Sequence, residues 1–395
     1  MTKLLKYYEK KAITSLEQMK QTFLEIKTGG KKMVKRLVML LGIFSIFALI
    51  LTGCSDEDVA APPTETTDAT GGTETTKVNG SKLAEIKDRG KLILGTNNQL
   101  PGFGYMNSDG QYEGFDIEFG QVVAAAIFGD KDAIEYRPLS SQERFTAVQT
   151  GEVDILIRNT TWTLSRDAEV GLAFGPPTFY DGQGMMVPKD SGISSLEELQ
   201  GARIGVEQGT TTELNLMDQL SKRGIDFEAV VFQDQDGLVA AYESGTIDAW
   251  TTDQSALASR MTTMQDPNGH VVLPEVMSKE PLGPAVLDGD SNFFDIMQWA
   301  TYATIQAEEY GITSANVDEF MTSEDPDILR FLGVEGNLGE QLGLENDFVY
   351  QIIKQVGNYS EIYERNLGKE SAFGLDRGIN AQYTDGGILY SPPFR

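Results

Sequence analysis

The chain has one cysteine, Cys54, and one histidine, His270. A single thiol allows no intramolecular disulfide, a His/Cys zinc site has too few ligands, and a Ser-His-Asp triad would have to use His270. Basic residues are also few: 32 Lys/Arg stand against 59 Asp/Glu, for a net charge of −27. The imbalance is uneven. Residues 1–53 hold ten Lys/Arg and three Asp/Glu, so with +7 there the remainder carries −34. A body of that charge is repelled by nucleic acid and by anionic headgroups, which excludes nucleic acid as an expected partner. What remains is an ordinary globular composition, 40% hydrophobic and 23% charged, in 395 residues. That is enough for about two domains.

The lone cysteine closes Leu51-Thr-Gly-Cys54, after the apolar run Leu37–Leu51 and the basic Met33-Val-Lys-Arg36. Basic, then apolar, then small residues before a cysteine reads as a secretory signal at 33–53, and it resembles the lipobox of bacterial lipoproteins. That resemblance implies lipidation of Cys54 and anchoring of the protein on the outer side of a cell membrane, each buried methylene contributing ~0.8 kcal/mol. The alternative, a membrane-spanning anchor, has a short run to work with. Residues 1–32 fit no signal peptide. They read either as a misassigned start, with translation beginning at Met33, or as an amphipathic extension. Residues 55–81 are rich in Thr, Glu, Asp, Pro and Gly and cannot bury enough apolar surface to offset ordering. Together with Cys54 they are expected to form a disordered tether, 54–81, with a reach of roughly 30 Å.

From Lys82 on, short apolar strands alternate with helical stretches. Strands are expected at 91–96, 134–137, 153–157, 185–188, 202–206, 229–232, 247–251 and 270–273, with helices between most of them. That order argues for βαβ units and an α/β fold with mostly parallel sheets. Two segments match. Phe145-Thr-Ala-Val-Gln-Thr-Gly151-Glu-Val-Asp154 and Val239-Ala-Ala-Tyr-Glu-Ser-Gly245-Thr-Ile-Asp248 each give helix, glycine, β-branched residue, Asp, then strand. Glycine ends many helices, so the joint alone is weak. The shared aspartate favours two related lobes, with Asn159 and Asp253 at equivalent strand ends. Ligands of open α/β sheets bind beyond those ends.

The residues near those strand ends suit a charged ligand. Arg166 offers a planar fork for a carboxylate. Thr161 adds a hydroxyl, and Gly209-Thr210-Thr211 opens a helix whose first N–H groups suit an anion. Asp253 and the carbonyl of Asn159 suit an ammonium. Each has a plainer reading: Arg166 with Asp167 as a helix-start salt bridge, Gly209–Thr211 as an N-cap, Asp253 as a cap for the helix that follows it.

Leu92-Ile-Leu-Gly-Thr96, Gly114-Phe-Asp-Ile-Glu118, Gly151-Glu-Val-Asp154, Thr163-Leu-Ser-Arg166, Gly205-Val-Glu-Gln-Gly-Thr-Thr211 and Gly245-Thr-Ile-Asp248 resemble the extracellular amino-acid-binding proteins of ABC importers. Asn159–Asp167, Tyr180-Asp-Gly-Gln-Gly184, Thr251-Thr-Asp-Gln254 and Lys279-Glu-Pro-Leu-Gly-Pro284 are similar to the general L-amino-acid branch of that family. The resemblance implies a two-lobed fold of the periplasmic-binding-protein type II, residues 82–182 with 283–395 forming one lobe and 183–282 the other, joined by two crossovers. It places the ligand carboxylate on Arg166, Thr161 and Thr211, the ammonium on Asp253 and Asn159, and the pocket at Asn97, Leu100, Phe103, Gly209 and Thr210. At Leu100 relatives often carry an aromatic, so the departure implies a broad pocket. Trp162, Trp250 and the pair Met185-Met186 are expected in the core, and His270 at a surface strand start. The implied partners are an L-amino acid and a membrane permease, with the protein acting as a monomer and with no cofactor. Two other classes compete. An enzyme of dehydratase or lyase type would need a general acid or base, for which Glu207 and Asp253 are available. A sensor domain would need a membrane span and signalling domain after the body.

Overall fold

A computed structural model describes residues 81–395. The expectations for 1–80, namely the extension, the signal, Cys54 and nearly all of the tether, lie outside the described residues. The body opens at Ser81, whose side chain accepts from the Ala84 N–H and caps the helix Lys82–Arg89.

Two five-stranded sheets follow one plan. The first has the order Ile134–Pro138, Leu92–Thr96, Ile155–Leu156, Ala285–Leu287, Leu172–Phe174. The second has Glu228–Phe232, Arg203–Glu207, Ala249–Asp253, Gln183–Pro188, His270–Val272. In each, the first three strands are parallel and the other two pairings are antiparallel. One strand in each sheet, Ala285–Leu287 or Gln183–Pro188, is thus reversed and the other four run the same way, so the sheets are mostly parallel, as expected. Gln183–Pro188 and Ala285–Leu287 carry the chain away from a crossover. They must oppose strands that run toward one.

The matched segments are structurally equivalent. Gly151 and Gly245 take φ of 74° and 70°, conformations that only glycine adopts cheaply. Asp154 then accepts from the Ile93 N–H at 2.8 Å and donates its own N–H to the Ile93 carbonyl at 2.9 Å. Asp248 does the same with Arg203, both bonds at 2.8 Å. A helix cap alone would not require that carboxylate. It closes the open end of the neighbouring strand, so the strand pair starts in one register in both lobes.

Packing divides accordingly. Phe115–Phe128, Ser291–Glu309, Phe348–Gln355 and Tyr359–Asn366 cover the first sheet through one large apolar core, and Ala124–Ala126 let the helices approach. Leu196, Leu199, Leu216 and Leu220 cover the second. Trp250, Met185 and Met186 are buried as expected. Trp162 is not. It lies between the bridge residue Thr161 and the helix Leu164–Ala168, 41% exposed, and stacks on Phe174. His270 is half-buried, its Nδ1 3.2 Å from the Tyr242 hydroxyl.

The crossovers Phe179–Asp181 and Glu280–Leu282 pair antiparallel, with Tyr180 opposite Pro281. Pro281 has no N–H to give, and its carbonyl accepts from the Trp162 N–H at 2.8 Å. Gly283 N–H donates to the Thr160 carbonyl at 3.1 Å. The segment after Ile155–Leu156 is thereby a further rung of the crossover ribbon. On the far edge, the buried Asn380 side chain replaces a strand: its Oδ1 accepts from Tyr180 N–H at 2.7 Å and its Nδ2 donates to the Tyr180 carbonyl at 3.0 Å. The C-terminal tail, a polar stretch with no recognisable chemistry in sequence, thus braces the crossover. Arg377 fastens it by lying over the Tyr359 ring and pairing with Glu308. Gly182 sits on the crossover because a Cβ there would meet Val276 Cγ1 at 2.4 Å.

One turn is strained. Asn159 has φ 34°, the sole positive value outside glycine among the described residues. Its N–H donates at 2.6 Å to Asp116, at the start of the helix Phe115–Phe128. Burial pushes the Asp116 carboxyl up to about 7, against the Asn159 bond and Arg158.

Two outcomes follow from these contacts. Asn380→Ala leaves both polar groups of Tyr180 unpaired and is expected to lower stability by about 2 kcal/mol, read as a lower urea midpoint at unchanged slope. Asp116 holds a proton in the folded state that the unfolded chain, near 3.8, releases. Its contribution is complete below that value and is lost as pH rises toward about 7. Asp116→Asn keeps the acceptor and should remove part of the fall in melting temperature between those limits.

Candidate functional site

The parallel strands of both sheets end on the crossover side, and the polar groups sit just beyond them. Ile155–Leu156 leads into Asn159–Thr161, Leu92–Thr96 into Asn97, Arg203–Glu207 into Gly209–Thr211, and Ala249–Asp253 ends on the aspartate itself. Thr163 caps the short helix Leu164–Ala168 by accepting from the Arg166 N–H at 3.3 Å, which sets where Arg166 leaves the backbone.

Arg166 is buried, donates from Nη1 to the Thr161 carbonyl at 2.8 Å, and lies 5.1 Å from the Phe145 ring centre. It makes no ion pair within 4 Å among the described residues, with Asp167 or any other carboxylate. Burial pulls its pKa down to about 10, with Glu280 and then Asp253 opposing, so it stays cationic at neutral pH. Asp253 is buried and occupies the cap position of Gln254–Met261 without making the cap bond. Burial first, then the neighbouring Asp181 and Glu280, push its carboxyl well above the ordinary range, while Arg144 and Arg166 oppose.

Thr210 performs the plainer role: its hydroxyl accepts from the Glu213 N–H at 3.1 Å and caps Thr211–Arg223. The Gly209 N–H donates to Glu213. Thr161 and Thr211 meet across the cleft, their hydroxyl oxygens 3.4 Å apart, and both donate to the Glu280 carboxylate, at 2.6 and 3.0 Å. A hydroxyl has one proton. Given to Glu280, it leaves each threonine presenting lone pairs. The carboxylate these two hydroxyls hold is thus the chain's own. Asn97 Nδ2 donates to Asn159 Oδ1 at 3.4 Å. Leu100 and Phe103 are both buried in the core of the first lobe, Phe103 edge-on to Phe115 and Phe179.

Several residues enter the site without having been singled out in sequence. Arg144 is buried, lies 4.9 Å from the Phe145 ring centre, donates to Thr160 Oγ1 at 3.4 Å, and has no hydrogen-bond partner at Nε. Burial lowers it, followed by repulsion from Arg166 and Arg158. Arg158 donates to the Leu139 carbonyl at 2.8 Å and reaches Glu207 at 3.6 Å. Asp181 accepts from the Gly182 N–H at 2.7 Å and from Ser255, and burial pushes it up to about 6. Arg144 stood inside a stretch read only as helix, Arg158 lay between the expected strand 153–157 and the quoted segment Asn159–Asp167, and nothing in their spacing marks them. Glu280 lay within a quoted motif. Its signal was available: an acid beside Pro281 in a crossover strand has no structural reason to be apolar-facing unless donors converge on it.

The cleft therefore has a cationic side, Arg144, Arg158 and Arg166, from one lobe. Facing it are carboxylates from the other lobe and the crossovers, Glu207, Asp253 and Glu280.

Comparison with known proteins agrees with this architecture. The General L-amino acid-binding periplasmic protein AapJ of Rhizobium johnstonii is 49% identical over 319 residues, covering 80% of this chain and 94% of the relative. The Glutamate/glutamine/aspartate/asparagine-binding protein BztA of Rhodobacter capsulatus is 47% identical over 318 residues, covering 80% and 94%. A solved ABC transporter periplasmic binding protein from Brucella ovis, with glutathione bound, is 47% identical and superposes with a TM-score of 0.79 over 80% of this chain and 100% of that one. The family description of bacterial extracellular solute-binding proteins, family 3, matches residues 92–369, and the chain belongs to that family.

Proposed function

We propose that the protein captures L-amino acids between two closing lobes, 82–182 with 283–395 and 183–282, and delivers them to the permease of an ABC importer. One observation carries this: Arg166 and Asp253 are buried on opposite sides of the cleft, and neither has an ion-pair partner within 4 Å among the described residues. A buried charge without a counter-charge is costly. An α-carboxylate on Arg166 and an α-ammonium on Asp253 and the Asn159 carbonyl would neutralise both at once.

The relatives support the reading in kind. All three are binding proteins, one for L-amino acids in general, one for glutamate, glutamine, aspartate and asparagine, and one with glutathione bound, ligands that share the amino-acid α-carbon groups. Leu100 and Phe103 belong to the core and not to the pocket; broad specificity fits a pocket in which Asn97, Gly209 and Thr210 offer no charged side chain to select one ligand. The reading includes no chemical step and no cofactor. A micromolar constant corresponds to about −8.2 kcal/mol, within reach of a few charge-assisted bonds less the cost of association.

The site is proposed to work outside the cytoplasm, with the monomeric body tethered to the cell membrane through lipid on Cys54. No described helix is long and apolar enough to cross a membrane.

Arg166→Ala is expected to weaken amino-acid binding by at least ~2 kcal/mol, because the ligand carboxylate would be buried without its counter-charge. Calorimetry giving an unchanged affinity would remove Arg166 from the site. For the anchor, Cys54→Ser should shift the protein from the membrane fraction to the soluble fraction, and mass spectrometry of the wild type should find Cys54 acylated at the mature N-terminus. An unmodified wild-type Cys54 would refute the tether.

A further inference from the structure

Glu280 is 1% exposed on the crossover strand Glu280–Leu282, yet four side chains donate to it. Thr161 and Thr211 reach Oε2 at 2.6 and 3.0 Å. Asn215 Nδ2 reaches Oε1 at 2.9 Å, and the Ser278 hydroxyl bonds the same oxygen. Four donors on two oxygens require an acceptor-only group, which a carboxylate is and an amide is not.

The donors belong to two mechanical units. Thr161 travels with the crossover, because its neighbours are laddered to it through Trp162 N–H to Pro281 and Gly283 N–H to Thr160. Ser278 is two residues from Glu280. Thr211 and Asn215 lie on the first turns of Thr211–Arg223, a helix held to the second sheet by Leu216 in that core and by Gln183 Nε2 donating to the Thr212 carbonyl at 3.2 Å. Rotation of the second lobe about the crossovers carries Thr211 and Asn215 with their helix and leaves Thr161 in place, while Ser278 follows Met277, whose N–H donates to the Gln183 carbonyl of the second sheet at 2.9 Å.

We infer that Glu280 is an interlobe clasp: a positioning residue on the crossover whose carboxylate binds Thr211 and Asn215 in the closed state only, and so slows release of the ligand. This rests on the reading of the site as an amino-acid receptor. Contacts made in one state alone shift the balance toward it. They act on the closed complex, so they lower the off-rate and leave encounter with the open form unchanged. Asn215 is the informative probe, since its amide touches Glu280 and it belongs to no part of the site assigned to the ligand.

The test uses the full-length protein, its Glu280→Gln and Asn215→Ala variants and the double variant. L-Glutamate and L-glutamine binding is followed by stopped-flow tryptophan fluorescence. The clasp predicts an off-rate raised about tenfold in each single variant, on-rates within about twofold of wild type, and a double variant no worse than the weaker single one. Off-rates within about twofold of wild type in both variants overturn the clasp and leave the receptor reading standing. Wild type that binds neither amino acid counts against the receptor reading instead. The clasp is then decided by solution X-ray scattering without ligand: a larger radius of gyration for Asn215→Ala than for wild type supports it, and identical curves overturn it.

Discussion

The backbone ladder through the crossovers is the constraint on which the rest depends. Four strips of chain lie side by side: the segment Thr160–Trp162, the strand Glu280–Leu282, the strand Phe179–Asp181, and the amide of Asn380. Pro281 is possible in the middle because its position faces the Trp162 N–H with a carbonyl and needs no donor of its own. The ribbon places a ligand-site segment, both lobe connections and the tail in one hydrogen-bonded unit. Any motion of the second lobe is then a motion relative to that unit.

Charge is arranged around the ribbon with the same economy of elements. The lobe that contributes Asn159–Thr161 also contributes Arg144, Arg158 and Arg166. The carboxylates come from the opposite lobe and from the crossovers. Arg166 and Arg144 flank one aromatic ring, Phe145, which holds two guanidinium groups in the same neighbourhood despite their repulsion. Asp253 is kept without a cap bond and Asn159 with a positive φ. Both are departures from what local stability favours, and both occur at the cleft.

The strand-helix alternation, the matched glycine-aspartate joints and the site-bearing ends of the parallel strands were readable because each is a local pattern. Period, turn residues and caps are set within a few residues of themselves. The reversal of one strand in each sheet was not readable, since the direction of Gln183–Pro188 depends on its pairing with Ala249–Asp253, far along the chain. Trp162 was misplaced for a related reason: an aromatic between site residues resembles core until the surface it packs on is known. Arg144 and Glu280 were hidden because a charged residue in a helix or strand has the same local signature on a surface as in a cleft.

By itself, the sequence determined the fold class, the family and the two lobes, because hydrophobic period and glycine position act through short-range sterics. It also determined that Asn159 and Asp253 stand at equivalent places after the matched glycine-aspartate joints. Only the tertiary structure decided what those elements face. It put three arginines opposite three carboxylates, gave the hydroxyls of Thr161 and Thr211 to Glu280, and turned a featureless polar tail into the brace of a crossover. These depend on which groups meet across long separations, and a donor is assigned only when its acceptor is within reach.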